Sequence, residues 1–327
     1  MRHSRHGHIS ITWRSLWWTA FTAIAVTLGM LAAFAQRSST LRLAVNTTTI
    51  ESAPLFVAAE GPAGATLRVS SGGIAQLVSL EADAATNSST QAVLRSVANP
   101  NLRLVLTVAE CFYRVVGRRS AGIRQVADLR AKRVGTPVNT SAHFYLAKML
   151  RGANLTEADV TVVALAQNEM AAALEKGTVD AVSIWEPWAQ YSIEAIGSDA
   201  VVLENRSIYR ELFNLNTTAD ILSDPAKRSA IVDLVRATIS SSDQVRRSPA
   251  EIRPLLVSKV NVREETSTAV WGQFRFPATL PEDLLEVLIE EETWAAAAQK
   301  RAPRSRTALS TLIERNVLIE AQKSASR

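Results

Sequence analysis

Cysteine and histidine are scarce in this chain of 327 residues. Cys111 is the only cysteine, so the chain has no intramolecular disulfide and no zinc site that relies on cysteine ligands. Three of the four histidines, His3, His6 and His8, lie at the very start, which argues against a histidine-ligated metal centre in the remainder. We therefore expect neither a metal ion nor a cofactor.

The chain also lacks a long basic stripe. Its net charge is +5, and residues 1–35 supply three of those charges through Arg2, Arg5 and Arg14 while containing no acid. Nucleic-acid binding needs clustered Lys and Arg, so we expect no nucleic-acid partner. With 47% hydrophobic and 20% charged residues, the composition is that of a globular protein, and the length favours two lobes.

Residues 1–35 have the pattern of an export signal. A basic stretch ends at Arg14, an apolar run follows over residues 16–34, and Ala33-Phe34-Ala35 fits the small-x-small pattern of signal-peptidase cleavage. The alternative is an uncleaved anchor, because the apolar run is just long enough to span a bilayer. Either interpretation predicts that the remainder is exported, which places it in the periplasm.

The remainder alternates short strands with helices, which predicts an α/β fold with mainly parallel sheets. A helix that begins at Ser141 has apolar residues at positions i, i+3, i+4, i+7 and i+8, so one face should be buried. Helices dominate from Pro225 onward. The predicted strands include residues 41–45, 67–70, 102–108, 133–135, 160–164 and 179–185.

Four loops at predicted strand ends are rich in hydroxyl groups. Ligands of open α/β sheets bind beyond the carboxyl ends of strands and at helix N-termini. Hydroxyl and backbone N–H donors next to positive helix ends suit a small oxyanion. Helix capping and turns explain any single loop equally well, whereas four together favour a shared cleft. The loops are residues 47–49, 70–73, 86–89 and 136–141.

These loops and three neighbouring strand ends supply the candidate ligand-binding residues. Trp185 is expected either to wall the cleft or to pack at a hinge. Glu186 is expected to orient a ligand amine or to form an ion pair between lobes, because an acid beside an anion would repel it. The candidates are Thr48, Thr49, Ser71, Gly72, Thr86, Asn87, Ser88, Glu110, Thr140, Ser141, His143, Trp185 and Glu186.

Several segments resemble one family of transport proteins. Residues 126–137 and, most specifically, 172–188 with Gly-Thr-Val-Asp-Ala followed by Trp-Glu-Pro are similar to elements of the extracytoplasmic substrate-binding proteins of nitrate, sulfonate and taurine ABC importers. Trp294 and the tail Arg301-Ala-Pro-Arg304 resemble the sulfonate-binding branch for aliphatic and aromatic sulfonates.

The resemblance implies a two-lobed periplasmic-binding-protein type II fold with two hinge crossings. Each lobe would hold a mainly parallel sheet flanked by helices, with residues 41–111 plus 213–327 in lobe 1 and residues 112–212 in lobe 2. The ligand cleft would lie between the lobes, which close on the ligand. The implied function is capture of a small anion, such as a sulfonate, taurine or a nitrate-like ion, and its delivery to the permease subunits of an ABC importer. We expect a monomer.

Two other functions stay open. A membrane-tethered ligand-sensing domain would follow from an uncleaved anchor. A thiamine-pyrimidine precursor synthase uses the same fold, but that family carries a cysteine-rich motif associated with iron, and this chain has a single cysteine. We therefore expect a binding protein and not an enzyme.

Overall fold

The computed structural model describes residues 40–323, so the predicted export signal lies outside the described residues. Within that range, no helix has both the length and the apolar character that crossing a bilayer requires. The strands are β1 Leu41–Val45, β2 Leu67–Ser71, β3 Ala84–Ser88, β4 Leu102–Cys111, β5 Arg114–Arg118, β6 Arg133–Thr136, β7 Thr161–Ala164, β8 Ala181–Ile184, β9 Ala200–Leu203, β10 Glu211–Thr218 and β11 Phe274–Arg275.

Helices cover both sheets and fill the last third of the chain. The longest spans 23 residues and ends the alternation of strands and helices. The helices are α1 Ala53–Glu60, α2 Ile74–Val78, α3 Ser89–Ser96, α4 Ser141–Gly152, α5 Met170–Glu175, α6 Trp188–Ile196, α7 Ala219–Ser223, α8 Pro225–Arg247, α9 Pro249–Val260, α10 Glu264–Val270, α11 Leu284–Ala298, α12 Arg306–Ser310 and α13 Arg315–Lys323.

The strands form two sheets, in the orders β11-β4-β10-β3-β1-β2 and β7-β6-β8-β5-β9. Strands β1 to β4 run in one direction, and β10 is antiparallel to both of its neighbours. In the second sheet β5 is likewise antiparallel to β8 and β9, whereas β6, β7 and β8 are parallel. The predicted α/β fold with two mainly parallel sheets is confirmed.

The chain crosses between the sheets twice, and the crossings explain why β5 and β10 are reversed. The first crossing joins β4 to β5 through Phe112 and Tyr113, and the second joins β9 to β10 through residues 204–210. Each crossing starts at the carboxyl end of a forward strand. The strand that follows enters its sheet at that same edge, so it must run in the opposite direction.

Helix α4 buries the face that the sequence predicts. Its apolar residues Ala142, Tyr145, Leu146, Met149 and Leu150 are all buried in the core. The helical repeat aligns these side chains on one stripe, which packs into the core. Phe144 and Ala147 are buried as well, so the helix is covered on more than the predicted face. Packing of this face therefore fixes where the first turn of α4 lies.

Strand β10 is fully buried although its sequence is not that of a typical core strand. Asn214, Asn216 and Thr217 are polar and inaccessible to solvent, and the sequence pattern predicts no strand there. Most of their polar atoms are hydrogen-bonded inside the protein: the Thr107 hydroxyl donates to Asn214 Oδ1 at 2.7 Å, the Thr217 hydroxyl donates to the Asp83 carbonyl at 2.8 Å, and the Asn216 amide donates to the Asn214 carbonyl at 2.9 Å. These bonds offset the cost of burying the polar groups.

Each sheet contains the same arginine–aspartate contact. In the first sheet Asp83 accepts hydrogen bonds from the backbone N–H of Arg42 at 3.0 Å and from its guanidinium at 2.8 Å. In the second sheet Asp180 accepts the same pair of bonds from Arg133, at 2.9 and 2.7 Å. The aspartate of the Gly-Thr-Val-Asp-Ala motif therefore joins the start of β8 to the start of β6.

The tail Arg301-Ala-Pro-Arg304 has a structural role. Both arginines pair with the buried carboxylate of Glu292 on α11, and Arg304 also donates to the Val93 carbonyl of α3 at 2.8 Å. Although burial opposes ionisation, these hydrogen bonds lower the pKa of Glu292 from 4.5 to about 2. The ion pairs therefore attach the tail to two helices.

This ion-pair cluster should stabilise the fold only while Glu292 is ionised. A lowered pKa gives stability that is present above pH 4.5 and is lost as the pH falls towards about 2. We predict that Glu292→Gln lowers the free energy of unfolding by roughly 2–3 kcal/mol at pH 7 and that the difference from wild type vanishes near pH 2. Urea denaturation at several pH values measures this difference.

Glu286→Gln is the control, because Glu286 lies on the same helix as Glu292 and forms an exposed pair with Arg306. It should change the free energy of unfolding very little, since solvent screens exposed pairs. A Glu292→Gln deficit that stays constant down to pH 2 would contradict the assigned role of the ion pairs.

Candidate functional site

A small cavity lies where residues of both sheets meet. Its volume is about 70 Å³. Since a water molecule needs about 10–15 Å³ by this measure, there is room for about five waters or one small solute. The lining residues are Asn46, Thr49, Glu51, Asn87, Ser88, Gln91, Tyr113, Thr140, Ser141, Trp185, Glu211 and Phe213.

Two helix N-termini reach this cavity from opposite sides. Ser88 caps α3, because its hydroxyl accepts a hydrogen bond from the backbone N–H of Gln91 at 3.2 Å. Thr140 and Ser141 begin α4. The Gln91 amide donates to the Asn139 carbonyl at 2.7 Å and so links the two helix starts. The first N–H groups of a helix carry partial positive charge, which favours an anion between them.

Aromatic residues form one wall. The hydroxyl of Tyr113 lies 2.9 Å from that of Ser141, and the ring of Tyr113 lies 6.2 Å from the ring of Trp185. Burial raises the pKa of Tyr113 well above its ordinary value, so its hydroxyl stays protonated. This wall thus offers apolar surface with hydroxyl groups at one edge.

Two buried carboxyl groups form the inner end of the cavity. Glu51 and Glu211 are 2% and 0% exposed. Burial raises the pKa of Glu51 to about 8, and the nearby acid Glu186 adds to the increase. Burial raises the pKa of Glu211 well above its ordinary value, helped by the charge of Glu51. No Lys, Arg or His is among the residues that line this cavity.

Six of the predicted residues line the cavity: Thr49, Asn87, Ser88, Thr140, Ser141 and Trp185. Thr48, Ser71 and Gly72 instead line a neighbouring hollow of about 300 Å³. The two hollows share Asn46, Asn87 and Gln91 in their walls. Thr86 lies beneath this shared wall, and its hydroxyl accepts a hydrogen bond from the Asn46 N–H at 2.9 Å.

Three predicted residues face other partners. Glu186 accepts a hydrogen bond from the Arg114 guanidinium at 2.6 Å, so it does form an ion pair, but both partners belong to the second-sheet region and the pair does not join the two lobes as expected. Glu110 pairs with Arg210 at 2.8 Å. His143 lies one position past the cavity-lining turn of α4. Its Nε2 is 2.5 Å from Glu157, and its ring packs on Trp294.

Six lining residues were absent from the sequence prediction: Asn46, Glu51, Gln91, Tyr113, Glu211 and Phe213. Asn46 and Gln91 adjoin two of the hydroxyl-rich loops, and extending those loops by one or two residues would have included them. Glu51 also lies two residues past such a loop, whereas Glu211 lacks this signal because nothing in its local sequence indicates a cavity. Among residues 40–323, no group of three or more His, Cys, Asp or Glu side chains is arranged to hold a metal ion.

Comparison with known proteins identifies related sequences. A family model described as NMT1/THI5 like matches residues 70–252, more than half of the chain. A protein of Escherichia coli (strain K12) named an aliphatic sulfonates-binding protein is 28% identical over 158 residues, 48% of either chain. A protein of the same name from Bacillus subtilis (strain 168) is 34% identical over 107 residues, 32% of either chain. The matches thus span half or less of these relatives.

Solved structures show the same fold. The periplasmic aliphatic sulphonate binding protein SsuA of Escherichia coli superposes with a TM-score of 0.71 at 15% identity, covering 85% of this chain and 92% of SsuA. The desulfurization enzyme DSZB superposes with a TM-score of 0.65 at 16% identity, covering 88% of this chain and 99% of the enzyme. The fold of this chain therefore occurs in binding proteins and in an enzyme.

The buried Glu51 carboxyl should make stability depend on pH in the opposite sense to Glu292. A raised pKa means that the folded protein holds the proton more tightly than the unfolded chain, so stability falls as the pH rises from 4.5 to about 8. We predict that the free energy of unfolding of wild type, relative to Glu51→Gln, falls by more than about 1 kcal/mol between pH 5 and pH 8.

Denaturant titrations at matched pH values measure this change. Glu81→Gln removes an exposed glutamate and serves as the control. Its free energy of unfolding should change with pH as that of wild type does over the same range. A constant difference between wild type and Glu51→Gln would show that Glu51 ionises normally.

Proposed function

Because the chain belongs to the NMT1/THI5-like family, we propose that it is an extracytoplasmic binding protein that captures a small sulfonate and delivers it to an ABC importer. The observation that carries the proposal is the convergence of the α3 and α4 N-termini on one cavity. Relatives named for binding aliphatic sulfonates support the ligand class.

Neutral donors suit the recognition of a sulfonate. Its single charge is spread over three oxygens, each of which accepts hydrogen bonds. Backbone N–H groups at the start of α4, the Ser141 hydroxyl and the Asn87 amide can supply such bonds without a fixed cation. Because the cavity holds only about 70 Å³, the proposal favours a short-chain sulfonate.

We further propose that the two sheets belong to two lobes that close on the solute. Residues 41–111 with 213–327 would form one lobe and residues 112–212 the other. Strand β10 begins at Glu211, so Glu211 and Leu212 would pass from the second lobe to the first. The Gln91–Asn139 hydrogen bond joins α3 to the loop before α4. The ion pair of Lys148 with Glu290, at 2.6 Å, joins α4 to α11. Opening would break these contacts and admit the solute.

A binding protein fits the cavity better than a cysteine-dependent enzyme does. Cys111, the only cysteine, does not line the cavity, and burial raises the pKa of its thiol well above the ordinary value. A thiol that stays protonated is a poor nucleophile.

The helix-terminus contacts can be tested with a double variant. Thr140→Ala combined with Ser141→Ala removes two hydroxyls at the start of α4 and should raise the Kd for ethanesulfonate by roughly 5–150-fold, equivalent to about 1–3 kcal/mol. Isothermal titration calorimetry on the purified protein measures the Kd. A thermal-shift screen of sulfonates, nitrate, bicarbonate and carboxylates selects the solute class beforehand.

Ser310→Ala combined with Thr311→Ala is the matched control. It also removes two hydroxyls at the end of a short helix, and these two donate to local carbonyls of residues that do not line the cavity. It should bind like wild type. If the Thr140/Ser141 variant binds ethanesulfonate as tightly as wild type does, the α4 N-terminus is not part of the site. If no sulfonate in the screen binds to wild type, the proposed ligand class is wrong.

A further inference from the structure

The inner end of the cavity holds an acid pair, Glu51 and Glu211, that would repel an anion if it were ionised. Glu51 lies in a single helical turn, Ile50–Ser52, and Glu211 is the first residue of β10. Strand pairing places Glu211 opposite Cys111, whose thiol also contacts Glu51. Both acids therefore adjoin one residue of β4 and line the same cavity.

Few groups within residues 40–323 stabilise the acid pair in its charged form. Neither carboxyl oxygen of Glu211 has a hydrogen-bond partner there, and Oε2 of Glu51 also lacks one. The lining contains no Lys, Arg or His. A buried carboxylate that lacks a cation and donors loses the solvation that water would give its charge. The arrangement of the cavity therefore favours the neutral, protonated form of both acids.

The buried acid Glu292 shows the opposite arrangement. Arg301 and Arg304 both pair with its carboxylate, and these contacts hold the pKa of Glu292 at about 2. Glu51 has no such partner, and burial raises its pKa to about 8. The charge state of a buried acid in this protein thus follows the groups that surround it.

Three other titratable residues beside the acid pair are neutral near physiological pH. They are Cys111 on β4, Tyr113 in the first crossing and Tyr209 in the second. Burial raises the pKa of each well above its ordinary value. None of the three therefore supplies a charge that could offset ionisation of the acid pair.

Two ion-paired acids face the acid pair from neighbouring elements. Glu186, which follows β8, pairs with Arg114 of β5, and Glu110 of β4 pairs with Arg210. The negative charges of Glu186 and Glu110 oppose ionisation of the acid pair. Since both arginines already have acidic partners, neither is free to neutralise the pair.

Glu291 on α11 is the remaining acid that faces the acid pair. It accepts hydrogen bonds from Ser89 and Thr90 at 2.7 and 2.8 Å. Burial raises the pKa of Glu291 to about 7, and its charge also opposes ionisation of Glu211. Because Glu291 does not line the cavity, it provides a control for the acids that do.

We propose that the acid pair links anion capture to protonation: the cavity binds a sulfonate tightly only while Glu51 and Glu211 are neutral, and their ionisation weakens binding. The inference rests on the proposed function, which places the sulfonate at the N-termini of α3 and α4. In a cavity of about 70 Å³, a sulfonate and a carboxylate would lie close together with little water to screen them. Two like charges in one small site disfavour each other.

The pH dependence of ethanesulfonate binding tests this linkage. Ethanesulfonate stays singly charged from pH 7 to pH 9, so a change in Kd over this range arises from the protein. Because the raised pKa of about 8 makes Glu51 ionise within this range, the Kd should rise at least about fivefold from pH 7 to pH 9. Isothermal titration calorimetry of the purified protein measures the Kd.

Proton uptake gives a second measurement that needs no variant. At pH 8 about half of the Glu51 carboxyls are ionised, and the bound anion should make them take up protons. Binding enthalpies in two buffers that differ in ionisation enthalpy should reveal an uptake of roughly half a proton per ethanesulfonate. Binding without proton uptake would contradict the linkage.

Glutamine variants identify the acids responsible, because glutamine has nearly the shape of glutamate but cannot ionise. In Glu51→Gln combined with Glu211→Gln, the Kd should change less than about twofold between pH 7 and pH 9. If the double variant does not fold, Glu51→Gln alone should take up fewer protons than wild type at pH 8. Glu291→Gln is the control and should keep a rise of about fivefold or more.

Two results would overturn the linkage and leave the sulfonate function standing. One is a Kd that rises equally in wild type and in the double variant, or in neither. The other is a rise that disappears in Glu291→Gln but persists in the double variant, which would assign the effect to Glu291.

If ethanesulfonate binds at neither pH, the proposed function is wrong, and nitrate then decides the inference. Nitrate is also singly charged at both pH values. A nitrate Kd that rises with pH in wild type but not in the double variant supports the linkage. Nitrate binding that is independent of pH, or no nitrate binding at all, overturns it.

Discussion

A carboxyl group that is buried without a cation must either keep a proton or meet a ligand that carries positive charge. This constraint governs the inner end of the cavity, where Glu51 and Glu211 lie together and water has little access. The outer end has the opposite character, since the helix N-termini at Ser88 and Thr140 present partial positive charge. Because burial raises the pKa of both carboxyl groups, they keep their protons at neutral pH, and the helix N-termini remain the positive feature that an anionic group can meet.

The chain crossings between the two sheets bring the helix N-termini and the buried acids to the same cavity. Forward strands β3 and β4 end at the cavity edge, and their carboxyl ends lead into helix α3 and the first crossing. Strand β10 returns antiparallel between them, so its first residue, Glu211, lies at that same edge beside the last residue of β4. One sheet edge thus supplies a helix N-terminus from a forward strand and a buried acid from the reversed strand.

Sequence alone predicted the family, the α/β fold and the half of the site that depends on local pattern. Loops 86–89 and 136–141 were found because hydroxyl groups cluster at strand ends and at helix starts. Glu211 was missed because the rule about carboxyl ends applies to forward strands, and β10, with Asn214 and Asn216 in its interior, does not resemble a strand. Glu110 was favoured instead, but side chains alternate along β4, so it points away from Cys111 and towards Arg210. Register and strand direction decide such cases, and both depend on long-range pairing.

The proposed function requires that the sulfonate group of one small solute binds at the helix N-termini of this cavity. A crystal structure of the protein grown with ethanesulfonate tests that requirement most directly. We predict that the sulfonate oxygens lie within hydrogen-bond distance of the backbone N–H groups at the start of α4. An empty cavity under saturating ligand, or a sulfonate seated against the two carboxyl groups, would contradict it.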